Sequence, residues 1–321
     1  MNNRNTYFDY LRAIAIIMVV VIHTYQIGDS VILRQLVNAA VPIFVAISGF
    51  FVSKKTIENK SQYVVFLRRQ IPKVYVPTLL FMTPMFLLDI VRGESFIKSL
   101  VYLIICNYSI YYFIAFIIQC YVVLPLLKSC VNKYKMGGVI ISIIISILWI
   151  GSYTYLKNEY HIALPLIIYA GPLPCWLMFF FLGIYLGQLS DRKYSLSWPL
   201  FITCTGFILS VASCIFLNSG VGIKPTSFVY SLGLILVLFS SKMERFLSCN
   251  NIIYRVMIWL GRQSFLLYLA HMYIISLCLN KLDVSNWGVR ICFTLLMTSI
   301  LIAIFKWILP KSIRHWLGYS D

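Results

Sequence analysis

Apolar residues recur along this chain in runs of helical length from end to end, separated by short polar segments. The runs predict ten helical membrane spans, at 7–27, 36–53, 74–91, 110–127, 138–156, 162–187, 197–217, 225–240, 262–280 and 288–309. Residues 99–107 add a short membrane-dipping piece before the fourth span. No segments of about ten residues alternate in hydropathy, as the strands of a membrane barrel do. The expected fold is therefore all-α: a polytopic membrane helical bundle of about ten transmembrane helices. It forms a single integral membrane domain, because no loop is long enough for a separate soluble one. Gly171-Pro172-Leu173-Pro174 should interrupt the sixth span, a break that survives in lipid only where protein or a cavity covers the backbone.

Composition agrees with the pattern. Of 321 residues 60% are hydrophobic and only 12% charged, and the mean hydropathy is +0.86. A soluble domain carries about twice that charge. The net charge of +17 does not point to nucleic acid, because Lys and Arg sit in short clusters between apolar runs, as topogenic signals do. With the N-terminus inside, eighteen Lys and Arg fall on the inner segments and seven on the outer. The positive-inside rule then puts both termini in the cytoplasm and the chain in the inner or plasma membrane. The nine cysteines form no CxxC pair and mostly lie within apolar runs. Buried thiols are expected there, with no metal site and no disulfide framework.

Ionisable residues inside spans usually face a bundle interior and mark a site or pathway. In "YLRAIAIIMVVVIHTYQ" (10–26) ten apolar residues stand between Arg12 and His23. Eleven positions are close to three helical turns, so both side chains leave nearly the same face, roughly 16 Å apart along the axis. The plainer reading has Arg12 snorkelling to headgroups and His23 capping the outer end of the helix. Asp9, one turn before Arg12, offers it a partner. In "LGRQSFLLYLAHMYI" (260–274), Ser264, Tyr268 and His271 share one face, with His271 near the bilayer midplane. Two histidines on separate spans suggest one shared polar cavity, although each could instead bond a neighbouring helix. Arg68, Arg69 and Lys73 form a basic cluster beside the inner face. Topology and anionic lipid explain that cluster by themselves, and a cradle for a phosphorylated ligand is the functional alternative. Only Asp9 and Asp89 of the ten carboxylates lie plausibly within a span, which weighs against a proton-coupled carrier.

Taken in order, these stretches resemble the membrane-bound acyltransferase family 3, which O-acylates cell-surface glycans. "FDYLRAIAIIMVVVIHT" resembles its N-terminal signature, with Arg12 and His23 in the matching places. "AVPIFVAISGFFVSKK" (40–55) is similar to its second-helix stretch through Ser48-Gly49-Phe50, and "RRQIPKVYVP" (68–77) to its basic loop before a proline. "FFFLGIYLG" (179–187) and the stretch at 260–274 are close to its later signatures. The chain departs from the family pattern at Ala13, where Gly is usual, and at Tyr112-Phe113, where Trp-Phe is common. It departs again at Gln70 and Lys73, where Arg is frequent.

The resemblance implies a transfer of an acetyl group from acetyl-CoA, entering from the cytoplasm, to a hydroxyl of a glycan or lipid-linked saccharide. On that reading His23 is the general base and Arg12 grips the donor. Arg68, Arg69 and Lys73 hold the donor's nucleotide end, and Asp9, Ser48, Ser264, Tyr268 and His271 line the cavity. Membrane lipids surround the protein, and a homo-oligomer stays open. Two readings of other classes stay open as well. One is a transporter or flippase for a glycan precursor or small solute, and the other is a non-catalytic lipid-binding or assembly protein that uses the basic inner face.

Overall fold

The computed structural model describes residues 5–217, 220–248, 251–279, 282 and 284–319. Arg4, Cys249, Lys281 and the last residue of the predicted 262–280 span lie outside them. The described residues are all-helical, with no strand. Helix α1 (Thr6–His23) leads through α2 (Val31–Leu36) and a 3-10 turn (Val37–Ala39) into α3 (Ala40–Ser53). There follow α4 (Lys60–Val91), α5 (Phe96–Ile104), α6 (Tyr112–Val122) and α7 (Leu124–Glu159). Next come α8 (Leu166–Tyr169), α9 (Leu173–Gln188), α10 (Ser197–Phe216), α11 (Pro225–Leu238) and α12 (Ser241–Leu247). The series closes with α13 (Ile252–Arg262), α14 (Ser264–Leu277), α15 (Trp287–Ile308) and α16 (Lys311–Leu317).

Among the described residues six segments are long and apolar enough to cross a membrane: α1, Val31–Ser53, α4, α7, α10 and α15. Counting α11 with α12, bent by 71°, makes seven. Helices α6, α9 and α14 have only 11, 16 and 14 residues. At 1.5 Å per residue they reach roughly 17–24 Å, short of the ~30 Å hydrocarbon core. The expected class stands, but helix length does not establish the count of ten. Taken together, most residues of these short helices are buried within the bundle. The first span also ends earlier than expected, at His23, with Thr24 as the C-cap, its hydroxyl donating to the Val20 carbonyl (2.9 Å). The basic stretch before Val74 is helical and belongs to α4. In α7 the chain turns at Lys135 (φ 43°), so the apolar part starts after it.

Helices α1, α3, α9, α11 and α14 form the buried interior, while α4, α7, α10 and α15 present wide apolar faces outward, as lipid-facing helices do. Small residues let the inner helices meet backbone to backbone. A Cβ on Gly49 would lie 2.2 Å from the Phe180 carbonyl oxygen, and one on Gly183 would lie 2.1 Å from that of Ala46. The Ser-Gly-Phe and Phe-Leu-Gly stretches are therefore two sides of one crossing, α3 on α9. The interruption at 171–174 is covered by protein. Gln119 donates to the Gly171 carbonyl (2.9 Å) and accepts from the Leu173 amide (3.0 Å), and Ser146 and Trp176 bond the Pro174 and Ala170 carbonyls. The eight described cysteines are free: Cys106, Cys120 and Cys175 are buried, but Cys204 and Cys292 lie exposed on the outer helices.

Candidate active site

Helix α1 carries the two polar residues to opposite ends of a pair of cavities. At one end Arg12 Nη1 bonds Asp9 Oδ1 at 2.7 Å, and Asp9 is fully buried. Arg262 Nε lies 3.6 Å from the other Asp9 oxygen. Helix α13 comes this close because Gly261 has no side chain; a Cβ there would lie 1.7 Å from the Asp9 carbonyl oxygen. The Arg12 guanidinium also sits over Phe51, 4.9 Å from the ring centre. It lines a cavity of about 250 Å³ whose other polar walls include Ser48 and Ser264 and whose remaining walls are mostly apolar. Ser48 spends its hydroxyl on the Phe44 carbonyl (2.9 Å).

His23 lines a second cavity, also of about 250 Å³. Tyr112, Tyr169 and Trp176 give this chamber aromatic walls, and Arg34 and Asn38 give it polar groups. Beside His23, and not itself lining the chamber, stands His271, with ring centres 5.3 Å apart. His271 Nδ1 donates to the Leu267 carbonyl at 2.9 Å, which assigns the proton to Nδ1 and leaves Nε2 as an acceptor. That Nε2 is buried and has no hydrogen-bond partner.

The two cavities share four lining residues: Val19, Val41, Phe113 and Tyr268. These form a septum between the Arg12 chamber and the His23 chamber. Tyr268 is fixed by its hydroxyl, which donates to the Ile110 carbonyl (2.6 Å), and by edge-on packing against Phe113 at 5.9 Å. The face shared by Ser264, Tyr268 and His271 thus runs from one chamber, through the septum, to the histidine pair.

A family model described as an acyltransferase domain matches residues 5–306, nearly the whole chain. The chain belongs to acyltransferase family 3. It is a membrane acyltransferase, with several apolar helices that fit a multi-pass protein. No curated protein and no solved structure matches it.

Seen within this family, the sequence-predicted residues divide. Arg12, Ser48, Ser264 and Tyr268 meet around one chamber, and His23 and His271 meet at the other. Arg68, Arg69 and Lys73 are exposed on α4 and line neither chamber, although Val74, the next residue, lines the first. A separate open cavity of about 660 Å³ gathers Lys54, Lys55, Lys128 and Lys133 with one carboxylate, Glu58. Lys54 sits over Phe50 at 4.4 Å, and burial and then the nearby Arg192 hold its ammonium below the ordinary lysine range. Sequence reasoning named none of these lysines as a site residue. It also missed Arg290, which is buried and holds the chain just after His23. Its Nε donates to the Thr24 carbonyl (3.0 Å), its Nη1 to those of Val284 (3.0 Å) and Ser285 (2.5 Å), and its Nη2 pairs with Asp29. Trp287 Nε1 adds a bond to the Thr24 hydroxyl at 3.2 Å. The sequence signal for this clamp was weak: a basic residue at the start of an apolar span.

Proposed function

We propose that this acyltransferase moves an acetyl group from acetyl-CoA to a hydroxyl of a cell-surface or lipid-linked glycan, and that the two chambers hold the two substrates. The observation that carries this reading is the septum: one wall, four residues, separates a chamber with Arg12 from a chamber with His23. The positive-inside count puts the Arg12 end towards the cytoplasm, where acyl-CoA is made. The apolar Arg12 chamber suits the acyl thioester and pantetheine arm. The donor's phosphates then lie against basic groups outside it, with Arg68, Arg69 and Lys73 as the assigned set and the lysine cavity as a second surface of the same chemistry. The aromatic walls of the His23 chamber suit the C–H faces of a sugar ring.

In this mechanism an unprotonated ring nitrogen of His23 takes the proton of the acceptor hydroxyl. The oxygen attacks the thioester carbonyl carbon, the new C–O ester bond forms, and the C–S bond breaks. The CoA thiolate leaves and is protonated, and the His23 proton returns to solvent. His271, whose ring centre lies 5.3 Å from that of His23, packs against the His23 ring and orients it. Arg12 lies about 16 Å from His23 along the helix and so serves the donor rather than the reacting carbonyl. Transfer is favoured over transport by the family to which the chain belongs.

The test is purified protein given radiolabelled acetyl-CoA and a panel of saccharide acceptors. Label should move to a saccharide in the wild type and stay on CoA in His23→Ala. Solute flux in vesicles with neither CoA binding nor label transfer would overturn the reading.

A further inference from the structure

Among the described residues the buried arginines are Arg34 and Arg290, and they differ in their partners. Arg12 pairs with Asp9, Arg192 with Glu244 and Arg290 with Asp29. Arg34, only 8% exposed, lines the His23 chamber, and among the described residues no carboxylate pairs with it. Its Nη1 bonds a neutral group, the Asn38 amide oxygen, and its Nε is buried with no hydrogen-bond partner. Asn38 offers no charge and is itself held by Gln35 (2.9 Å) and the Val221 carbonyl (3.2 Å). Removing a guanidinium from water costs several kcal/mol unless an anion or a full set of acceptors replaces the lost hydration.

The surroundings add to the imbalance. A small cavity next to the chamber shares Tyr169, Gly222 and Ile223 with it and is lined by Lys157 and Lys224. No Asp or Glu appears among the described lining residues of either cavity. We infer that the His23 chamber takes an acceptor that carries a negative charge, a sugar carboxylate or phosphate, with Arg34 as its counter-ion. The planar guanidinium matches both groups in a two-bonded fork. The charge fixes the sugar so that a hydroxyl of the same molecule faces His23. This rests on the proposal above that the acceptor occupies the His23 chamber, and it narrows the acceptor to acidic saccharides.

The experiment is a binding comparison on wild-type protein in neutral phosphatidylcholine nanodiscs. The probes are octyl β-glucuronide, octyl glucose 6-phosphate and octyl β-glucoside. Both charged probes should bind at least about tenfold more tightly than the glucoside, since a charge-assisted bond of this kind contributes that much or more. Arg34→Gln should erase the difference and Arg34→Lys should keep most of it. Equal binding of the three probes in the wild type overturns the inference, as does a preference that survives Arg34→Gln. If Arg34→Gln does not fold, the wild-type preference and its retention in Arg34→Lys decide. Added phosphatidylglycerol distinguishes a lipid headgroup from a sugar. A preference abolished by modest amounts of that lipid would make the occupant a lipid and contradict the inference. Binding is read without turnover, so a protein that prefers the charged probes yet transfers no acetyl group fails the acyl-transfer proposal and leaves this one standing.

Discussion

The two chambers have the same volume, about 250 Å³, and share a wall, yet they treat charge in opposite ways. In the Arg12 chamber the cation is paired with a fully buried carboxylate one turn away, which Arg262 also approaches. In the His23 chamber the cation meets a neutral amide and the Tyr25 ring, with no carboxylate beside it among the described residues, and the walls are aromatic. An apolar space whose cation is paired suits a long flexible thioester that must be held without being trapped. An aromatic space whose cation lacks a carboxylate suits a polar acceptor that must be turned to present one hydroxyl. The difference teaches that equal cavities in series need not form one pathway for one molecule. They read better as two binding sites that meet at the septum.

The largest effect that separates the chambers is expected at His23. His23→Gln should lower turnover by about 10²–10⁴-fold, the usual worth of a general base, while acetyl-CoA affinity stays within about twofold. Parallel losses in both quantities would break the division between the chambers. Next comes Arg290→Ala, which leaves Asp29 without its buried partner and should cost roughly 3–5 kcal/mol of stability. Thermal unfolding in detergent reads that loss. The fraction still folded should bind acetyl-CoA normally but turn over slowly, because the clamp lies at the His23 end. Arg12→Ala should weaken acetyl-CoA binding about 10–100-fold, the worth of a hydrogen bond to a charged group, and affect saturated turnover less. Titration of the donor separates that result from a pure rate effect. The smallest effect is expected at the septum. Phe113→Ala opens the wall and should shift preference from acetyl towards longer acyl groups by about fourfold per methylene, read from competing acyl-CoA donors.

Much of this comparison was legible in the sequence. The spacing of Arg12 and His23 put both on one face of one helix at two depths, and Ser264, Tyr268 and His271 formed a stripe by the same periodicity. The break at 171–174 was legible because Gly and Pro interrupt a helix locally. What stayed hidden is non-local. The 5.3 Å approach of His23 to His271 depends on how α1 meets α14, which no local pattern encodes. Arg34 and Arg290 were counted among the outer topogenic charges, because a buried and a solvated arginine look alike in a sequence. The glycines of α3 and α9 appeared as separate motifs, and only the crossing shows that each makes room for the other's backbone. Helix length does not establish the predicted count of ten spans for a similar reason. Apolar runs predict burial, and the interior helices α6, α9 and α14 are buried by protein as much as by lipid.

The most direct measurement is a cryo-electron microscopy map of the His23→Gln protein in nanodiscs with a non-transferable thioether analogue of acetyl-CoA. The pantetheine arm should fill the Arg12 chamber, with the acyl carbon at the septum between Phe113 and Tyr268 and the His23 chamber left for the acceptor. Donor density lying in the His23 chamber, on the far side of the septum from Arg12, would contradict the account.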